Sequence, residues 1–355
     1  MVKEYGYEYD ATLDEKLWER TKGKVIHEKF QDAICLRSGR DTLKAIAREY
    51  EPTVVFIPAL ACDSMVLPFE MYGHKIFYYK LNENYMIDLA YLESLLQKVS
   101  GIVLFLYMDY FGVHAISDSQ LQILKSRYEN IVFIEDRTHN LIWERRSSFH
   151  PDFIMASLRK WINIPDGGLL WTKEQLKNHS FDEDTSFSSI RLKAQCMRNE
   201  FFRTGDEIIK SKYRKIFSTV SDIMDVDKNP SGMSAYSFEI AKRTDWDTVR
   251  KQRKENAEAL ISILKNAPVN IIQDQTGLSD LYVAFLLEHR DQKQSKLSSM
   301  GIFNTIIWPL TDEQKEICEV TKYTEEHMLA APCDQRYSVD DMVYIGNEIV
   351  RIINE

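Results

Sequence analysis

The chain has 355 residues, 44% of them hydrophobic, which is ample for a sizeable core and for two domains or one large domain with an appendage. Its formal net charge of −9 argues against nucleic acid or an anionic membrane surface as a general partner. An anionic small ligand stays compatible, because a locally positive pocket can oppose the global field.

In chain order the first regular signals are a helix start at "SGRDTLKAIAREY" and a strand at "TVVFIPAL" (53–60). Strands then follow at "KIFYYKL" (75–81), "GIVLFLYM" (101–108), "IVFIEDR" (131–137), "FIMASL" (153–158) and "GGLLWT" (167–172), separated by helical "DLAYLESLLQKV" and "DSQLQILKSRY". The strands are continuous apolar runs, the pattern of strands covered on both faces. Strand and helix in alternation predict an α/β fold: a mostly parallel sheet sandwiched by helices, with ligands at the carboxyl ends of the strands. From about residue 175 the texture becomes polar, with "KNHSFDEDTSFSSI" loop-like. The stretch 234–266 contains no Pro or Gly and predicts one long helix able to connect two domains. Beyond it, "VNIIQDQ", "LYVAFLLEH", "KQSKLSSMGI", "NTIIWPL" and "SVDDMVYIGNEIVRII" predict a small α+β domain. The expected division is an N-terminal arm (1–25), a large domain (26–232), and a connecting helix with the small C-terminal domain (233–355). There is no internal repeat and no low-complexity segment.

Cys35, Cys62, Cys196, Cys318 and Cys333 are odd in number, widely spread and without a CxxC or metal-ligand pattern, so no metal is expected and a reducing compartment is. The N-terminus is polar and acidic, unlike a signal peptide, and the longest apolar run is too short to span a bilayer. A soluble cytoplasmic protein is expected.

Several residues could carry chemistry. Lys160 ends an apolar strand; it could snorkel, or serve as a nucleophile with its pKa lowered by desolvation and by Arg159. Asp136 at the end of "IVFIED" is an N-cap or a partner for a cationic ligand nitrogen. His139, three residues on, is a structural histidine or a ligand contact. Ser38 and Gly39 open a helix, either as a plain N-cap or as an anion site that Arg40 could reinforce, and Ser157 is a further short hydroxyl. Gly167 and Gly168 make a turn or let backbone pass close to a bound ring.

The order of these features, an anion site, then a strand-end Asp, then a strand-end Lys, is the layout of fold type I pyridoxal phosphate enzymes. "LRSGRDTL", "FIPALACDSMVLPFEMYGHKIFYYKL", "FIEDRTHNLIW", "SLRKWINIPDGG" and "LAAPCDQRYSVDDM" resemble the DegT/DnrJ/StrS aminotransferase family over roughly residues 30–350. The resemblance implies a fold type I transferase with pyridoxal 5'-phosphate as cofactor. It implies that Lys160 forms the Schiff base and shuttles a proton, that Asp136 pairs with the pyridinium nitrogen, and that His139 contacts the ring hydroxyl. By the same resemblance Ser38, Gly39 and Arg40 match the phosphate loop, with Ser157 as a further phosphate contact. The implied reaction is amination of a keto sugar linked to a nucleotide, with glutamate as the usual donor, in a homodimer serving surface polysaccharide or related biosynthesis.

The chain departs from the family's pattern at named positions. Cys62 stands where an aromatic ring usually stacks on the cofactor, Met155 where a serine is frequent, Arg40 where a small hydroxyl residue is usual, and Asp109 where a histidine is common. Two other readings are a binding or regulatory relative without catalysis and a different pyridoxal phosphate reaction on an amino acid. Retention of both Lys160 and Asp136 favours an enzyme and speaks against the family's dehydratase branch, in which a histidine replaces the lysine.

Overall fold

The computed structural model describes residues 2–11, 30, 32–142, 148–272 and 280–355. Of the expected N-terminal arm, residues 2–11 lie within this set, and they carry a short strand β1 (Tyr5–Gly6). There follow β2 (Ile34–Leu36), α1 (Gly39–Ala47), β3 (Val54–Pro58), α2 (Asp63–Glu70), β4 (Lys75–Tyr79), α3 (Leu89–Leu96), β5 (Val103–Met108) and α4 (Asp118–Arg127). Then come β6 (Ile131–Asp136), β7 (Phe153–Ala156), a single 3-10 turn (Leu158–Lys160) and β8 (Gly168–Thr172). These strands form one seven-stranded sheet in the order β2-β8-β7-β6-β5-β3-β4.

The apolar runs become strands because helices cover both faces. All of β5 is buried, and β3 is buried from Val55 to Pro58. Local chemistry sets the helix starts: Asp88 accepts the Tyr91 amide, and Ser117 with Gln120 completes a capping box. The expected parallel sheet is confirmed from β4 through β3, β5 and β6 to β7. β8 instead runs antiparallel to β7, and β2 antiparallel to β8. That reversal follows from the short connection after Lys160, which cannot make a parallel crossover.

Helices α5 (Thr185–Thr204) and α6 (Glu207–Val226) pack on each other as an antiparallel pair. The polar stretch expected as loop is one only as far as Asp184, whose carboxylate caps α5. The predicted long helix over 234–266 is broken into α7 (Ala235–Arg243) and α8 (Trp246–Leu264). Thr244 is extended and the Asp245 side chain accepts the Thr248 amide, so a fresh helix starts there without Pro or Gly. Burial of Trp246, whose Nε1 donates to the Ala241 carbonyl, fixes the break.

The remaining elements are β9 (Asn270–Ile272), β10 (Tyr282–Leu286), α9 (Arg290–Ser299), β11 (Ile302–Phe303), α10 (Asp312–Ile317), α11 (Glu319–His327), β12 (Met328–Pro332) and α12 (Val339–Asn354). β12, β10 and β9 form an antiparallel sheet, and α12 packs its Met342, Ile345 and Ile349 face against α8. β1 pairs in parallel with β11, so the chain's first described residues join this C-terminal layer.

Gly168 decides how closely α1 approaches the sheet. A Cβ there would lie 2.3 Å from the Ser38 carbonyl oxygen and 2.9 Å from the Gly39 amide nitrogen. The close approach predicted for this glycine is therefore to the backbone at the start of α1. Gly168→Ala is expected to lower stability by about 1–3 kcal/mol through overpacking, read as a shift of the urea unfolding midpoint. An unchanged midpoint would show that α1 can retreat from β8 at no cost.

Candidate functional site

The carboxyl ends of β5, β6 and β7 are in register, with Met108 paired to Asp136 and Asp136 paired to Met155. Asp136 therefore emerges between two methionines, 6% exposed, facing a cavity of about 50 Å³. Ser38, Gly39, Arg40, Cys62, His139, Ser157 and Lys160 line the same cavity, so the candidate residues of the sequence converge on it with the exception of Gly167 and Gly168. It adjoins a larger cavity of about 310 Å³, and His139, Arg159, Lys160 and Trp308 border both.

Lys160 sits in the turn after β7, and its amine has no hydrogen bond or ion pair among the described residues. Burial pushes it below its ordinary 10.5, aided by the Arg159 and Arg40 cations and opposed by Cys62 and Asp136. Burial pushes the Asp136 carboxyl up, opposed by its Thr138 hydrogen bonds and by Lys160. One Asp136 oxygen accepts the Thr138 amide at 2.7 Å. His139 is 2% exposed, and burial with the Lys160 charge brings its imidazole down to about 3, so it is neutral at physiological pH. The Phe111 amide donates to its Nδ1 at 3.4 Å.

The backbone under Lys160 is fixed from several sides. Trp161, fully buried, donates from Nε1 to the Thr138 carbonyl at 2.8 Å, and the Ser157 amide donates to Thr138 Oγ1 at 3.0 Å. The Tyr9 hydroxyl donates to the Lys160 carbonyl at 3.3 Å, and the Arg253 guanidinium lies 4.8 Å over the Trp161 ring. Asp166 of the glycine turn accepts from the Ser234 amide and from the hydroxyls of Ser234 and Ser237, which ties the turn to the start of α7.

At the start of α1, Ser38 is an N-cap: its Oγ accepts the Asp41 amide and donates to the Asp41 carboxylate at 2.5 Å. As first-turn amides, those of Gly39 and Arg40 have no intrahelical acceptor. Ser157 stands against Gly39, its Cβ 3.2 Å from where a Gly39 Cβ would be. Arg40 borders the cavity while its Nε lies 2.8 Å from Asp225 and its Nη2 donates to Ser221 Oγ, so α6 holds the guanidinium. Behind them Arg37, 1% exposed, donates from Nε and Nη2 to Asp41, from Nη1 to Asp184 and from Nη2 to Asp227, at 2.8–3.0 Å.

Cys62 occupies the N-cap position of α2, its Sγ 2.9 Å from Ser64 Oγ. An aromatic side chain does border both cavities: Trp308, with its ring centroid 5.8 Å from that of His139. Asp109 is a brace, accepting the Ala115 amide and Asn140 Nδ2, with His114 Nδ1 at 2.9 Å. Trp308, Tyr9, Arg253 and Arg37 were not foreseen from sequence. Their signals were slight: Trp308 lies in "IIWPL", an apolar run that reads as core, and Arg37 directly precedes the anticipated Ser-Gly.

No protein-family model and no curated protein matches the chain in sequence. Solved structures do match it in shape. A DegT DnrJ EryC1 StrS aminotransferase from Brucella abortus superposes with a TM-score of 0.62 at 16% identity, covering 98% of this chain and 92% of that one. The chain has the fold of these aminotransferases. A Streptococcus pneumoniae protein described as a sugar aminotransferase, solved in its PLP form, matches with a TM-score of 0.67 at 13% identity over 99% of both chains. DesI, solved in the presence of its TDP-sugar product, matches with a TM-score of 0.65 at 14% identity over 96% of this chain and 84% of its own. The fold type I architecture expected from the sequence is thus the one observed. Among the described residues no group of side chains could hold a metal ion, and no helix is long and apolar enough to cross a membrane.

The amine environment makes a direct prediction. Competitive acetylation of the protein across pH, followed by peptide analysis, is expected to place the Lys160 midpoint below 10.5, since its folded-state value is lowered. A midpoint at or above 10.5 would contradict the burial of this amine.

Proposed function

We propose that this chain is a pyridoxal phosphate-dependent aminotransferase acting on a keto sugar linked to a nucleotide. The observation that carries the reading is the meeting of Asp136, Lys160 and the first turn of α1 on one cavity at the carboxyl ends of β5, β6 and β7. The residues present fit the cofactor. Lys160 offers a desolvated amine without a partner among the described residues, and Asp136 a buried carboxyl that a cationic ring nitrogen would restore to its ionised form. The Gly39 and Arg40 amides with Ser157 offer donors to a phosphate, and the neutral His139 imidazole and the Trp308 ring offer an aromatic wall.

When bound, the cofactor supplies an electron sink for carbanion chemistry. Lys160 would hold it covalently through Nζ and, once released by the incoming amine, would move a proton from its position in the turn after β7. Asp136 would keep the ring nitrogen protonated, and His139 would orient the ring through its hydroxyl. The helix dipole of α1 favours the phosphate by about 0.3–1 kcal/mol when exposed and up to ~2 when partly buried. Each hydrogen bond to that charged group adds roughly 1.5–3 kcal/mol.

The likeness to DesI, solved with a TDP-sugar product, supports a nucleotide-linked sugar as acceptor. Glutamate as amino donor, a homodimeric assembly and a cytoplasmic location complete the reading. The test is a screen of nucleotide-linked keto sugars against protein loaded with pyridoxamine phosphate, following the return of the aldehyde absorption. A substrate is expected among them, and Asp136→Ala is expected to slow its single turnover about 100-fold or more while retaining cofactor. A rate unchanged in Asp136→Ala would assign the carboxylate to capping alone.

A further inference from the structure

Arg159 borders both cavities beside Lys160, yet its charge is poorly met. Its side chain is 17% exposed, and among the described residues its Nε is buried without a hydrogen-bond partner and the one carboxylate oxygen within ion-pair distance, Glu8 Oε1, is 3.9 Å away. That distance is too long for a hydrogen bond. The other arginines of the larger cavity are saturated. Arg253 donates to Gln335, to the carbonyl of Asp280 and to the Tyr9 hydroxyl, and Arg336 grips the Asp334 carboxylate through Nε and Nη2. Arg159 is left with unspent donors in a buried wall.

Glu8 faces it from the N-terminal segment. Its carboxylate pairs with Arg191 on one side and reaches toward Arg159 on the other. Burial opposes its charge, but the Arg191 and Arg159 cations outweigh burial and hold the carboxyl down to about 2. The Glu8 main chain is pinned, its carbonyl accepting from Arg336 and Arg198, whereas its side chain is 29% exposed to the larger cavity. The Arg191 bond holds one carboxylate oxygen, Oε2, while the other, Oε1, faces Arg159 without a hydrogen bond to it.

We propose that Arg159 is the centre of an oxyanion subsite in the larger cavity, that Glu8 is its resident carboxylate, and that a substrate carboxylate enters by displacing Glu8 toward Arg191. The subsite deepens the aminotransferase reading and rests on it. Its partner is assigned to the larger cavity because Glu8 lines that cavity and not the smaller one, where Gly39 and Ser157 stand.

The test uses the full chain loaded with pyridoxal phosphate, titrated calorimetrically with glutarate, an unreactive dicarboxylate, and with glutaramide as the neutral control. Glu8→Gln is expected to tighten glutarate binding by about tenfold, because the internal competitor is gone, and Arg159→Gln to weaken it by about tenfold or more. The double variant should bind as weakly as Arg159→Gln, Arg159→Lys should recover part of the affinity, and glutaramide binding should respond to none of them. Glutarate affinity unmoved by Glu8→Gln, or retained in Arg159→Gln, overturns the proposal. So does an Arg159→Gln protein that loses pyridoxal phosphate affinity but keeps glutarate, which would assign the arginine to the cofactor phosphate. Borohydride trapping of the cofactor on the same preparations separates failure of the subsite from failure of the cofactor reading, and the glutarate titration reads out on cofactor-free protein as well.

Discussion

The site depends on a buried arginine that touches none of its chemistry. Arg37 binds the carboxylates of Asp41, Asp184 and Asp227, which belong to the first turn of α1, the N-cap of α5 and the C-cap of α6. Removing one partner of such a buried set typically costs about 3–5 kcal/mol, so these elements are held in one arrangement. Lys44 reinforces it by donating to the carbonyls of Met224 and Asp227. The start of α1 is thereby fixed over β8, where Gly168 leaves room for it, and Ser38, Gly39 and Arg40 line the cavity that Asp136 and Lys160 also line. The cost is that Ser38 serves Asp41, leaving backbone donors as the main offering to an anion.

Electrostatics concentrates what the composition hides. A chain of net charge −9 places Arg40, Arg159 and Lys160 around one small cavity, with Asp136 as the carboxylate among them. Burial then sets each group's protonation preference. It lowers Lys160 and raises Asp136, so each favours the neutral form more than it would in water. A ligand that brings both a cationic ring nitrogen and a carbonyl carbon answers both preferences at once, which is why the pair is informative where either residue alone is not.

The strands that build the site were legible because burial on both faces leaves an unbroken apolar run, as in β5 and β6. Lys160 and Asp136 were legible because charge at the end of such a run has no packing reason. The antiparallel course of β8 was not, since a run of apolar residues carries no strand direction. The break at Thr244 was missed because a capping aspartate stops a helix as well as a proline does, and Asp245 reads as one more exposed charge. Trp308 and Tyr9 were invisible for a topological reason: each reaches the larger cavity from a segment far from Lys160 in sequence, and the two segments are held together by the pairing of β1 with β11. Cys62, the position read as missing its ring, lines the same cavity as Trp308, an aromatic side chain that comes from a distant segment.

The central claim is that Lys160, in the 3-10 turn that follows β7 and not at the strand end where the sequence put it, carries the cofactor. The most direct measurement is borohydride reduction of the protein incubated with pyridoxal phosphate, followed by proteolysis and mass analysis of the lysine-containing peptides. The account predicts loss of the visible absorption band and a reduced pyridoxyl group on Lys160 alone. The same group found on a different lysine, or no covalent label with the protein folded, would contradict it.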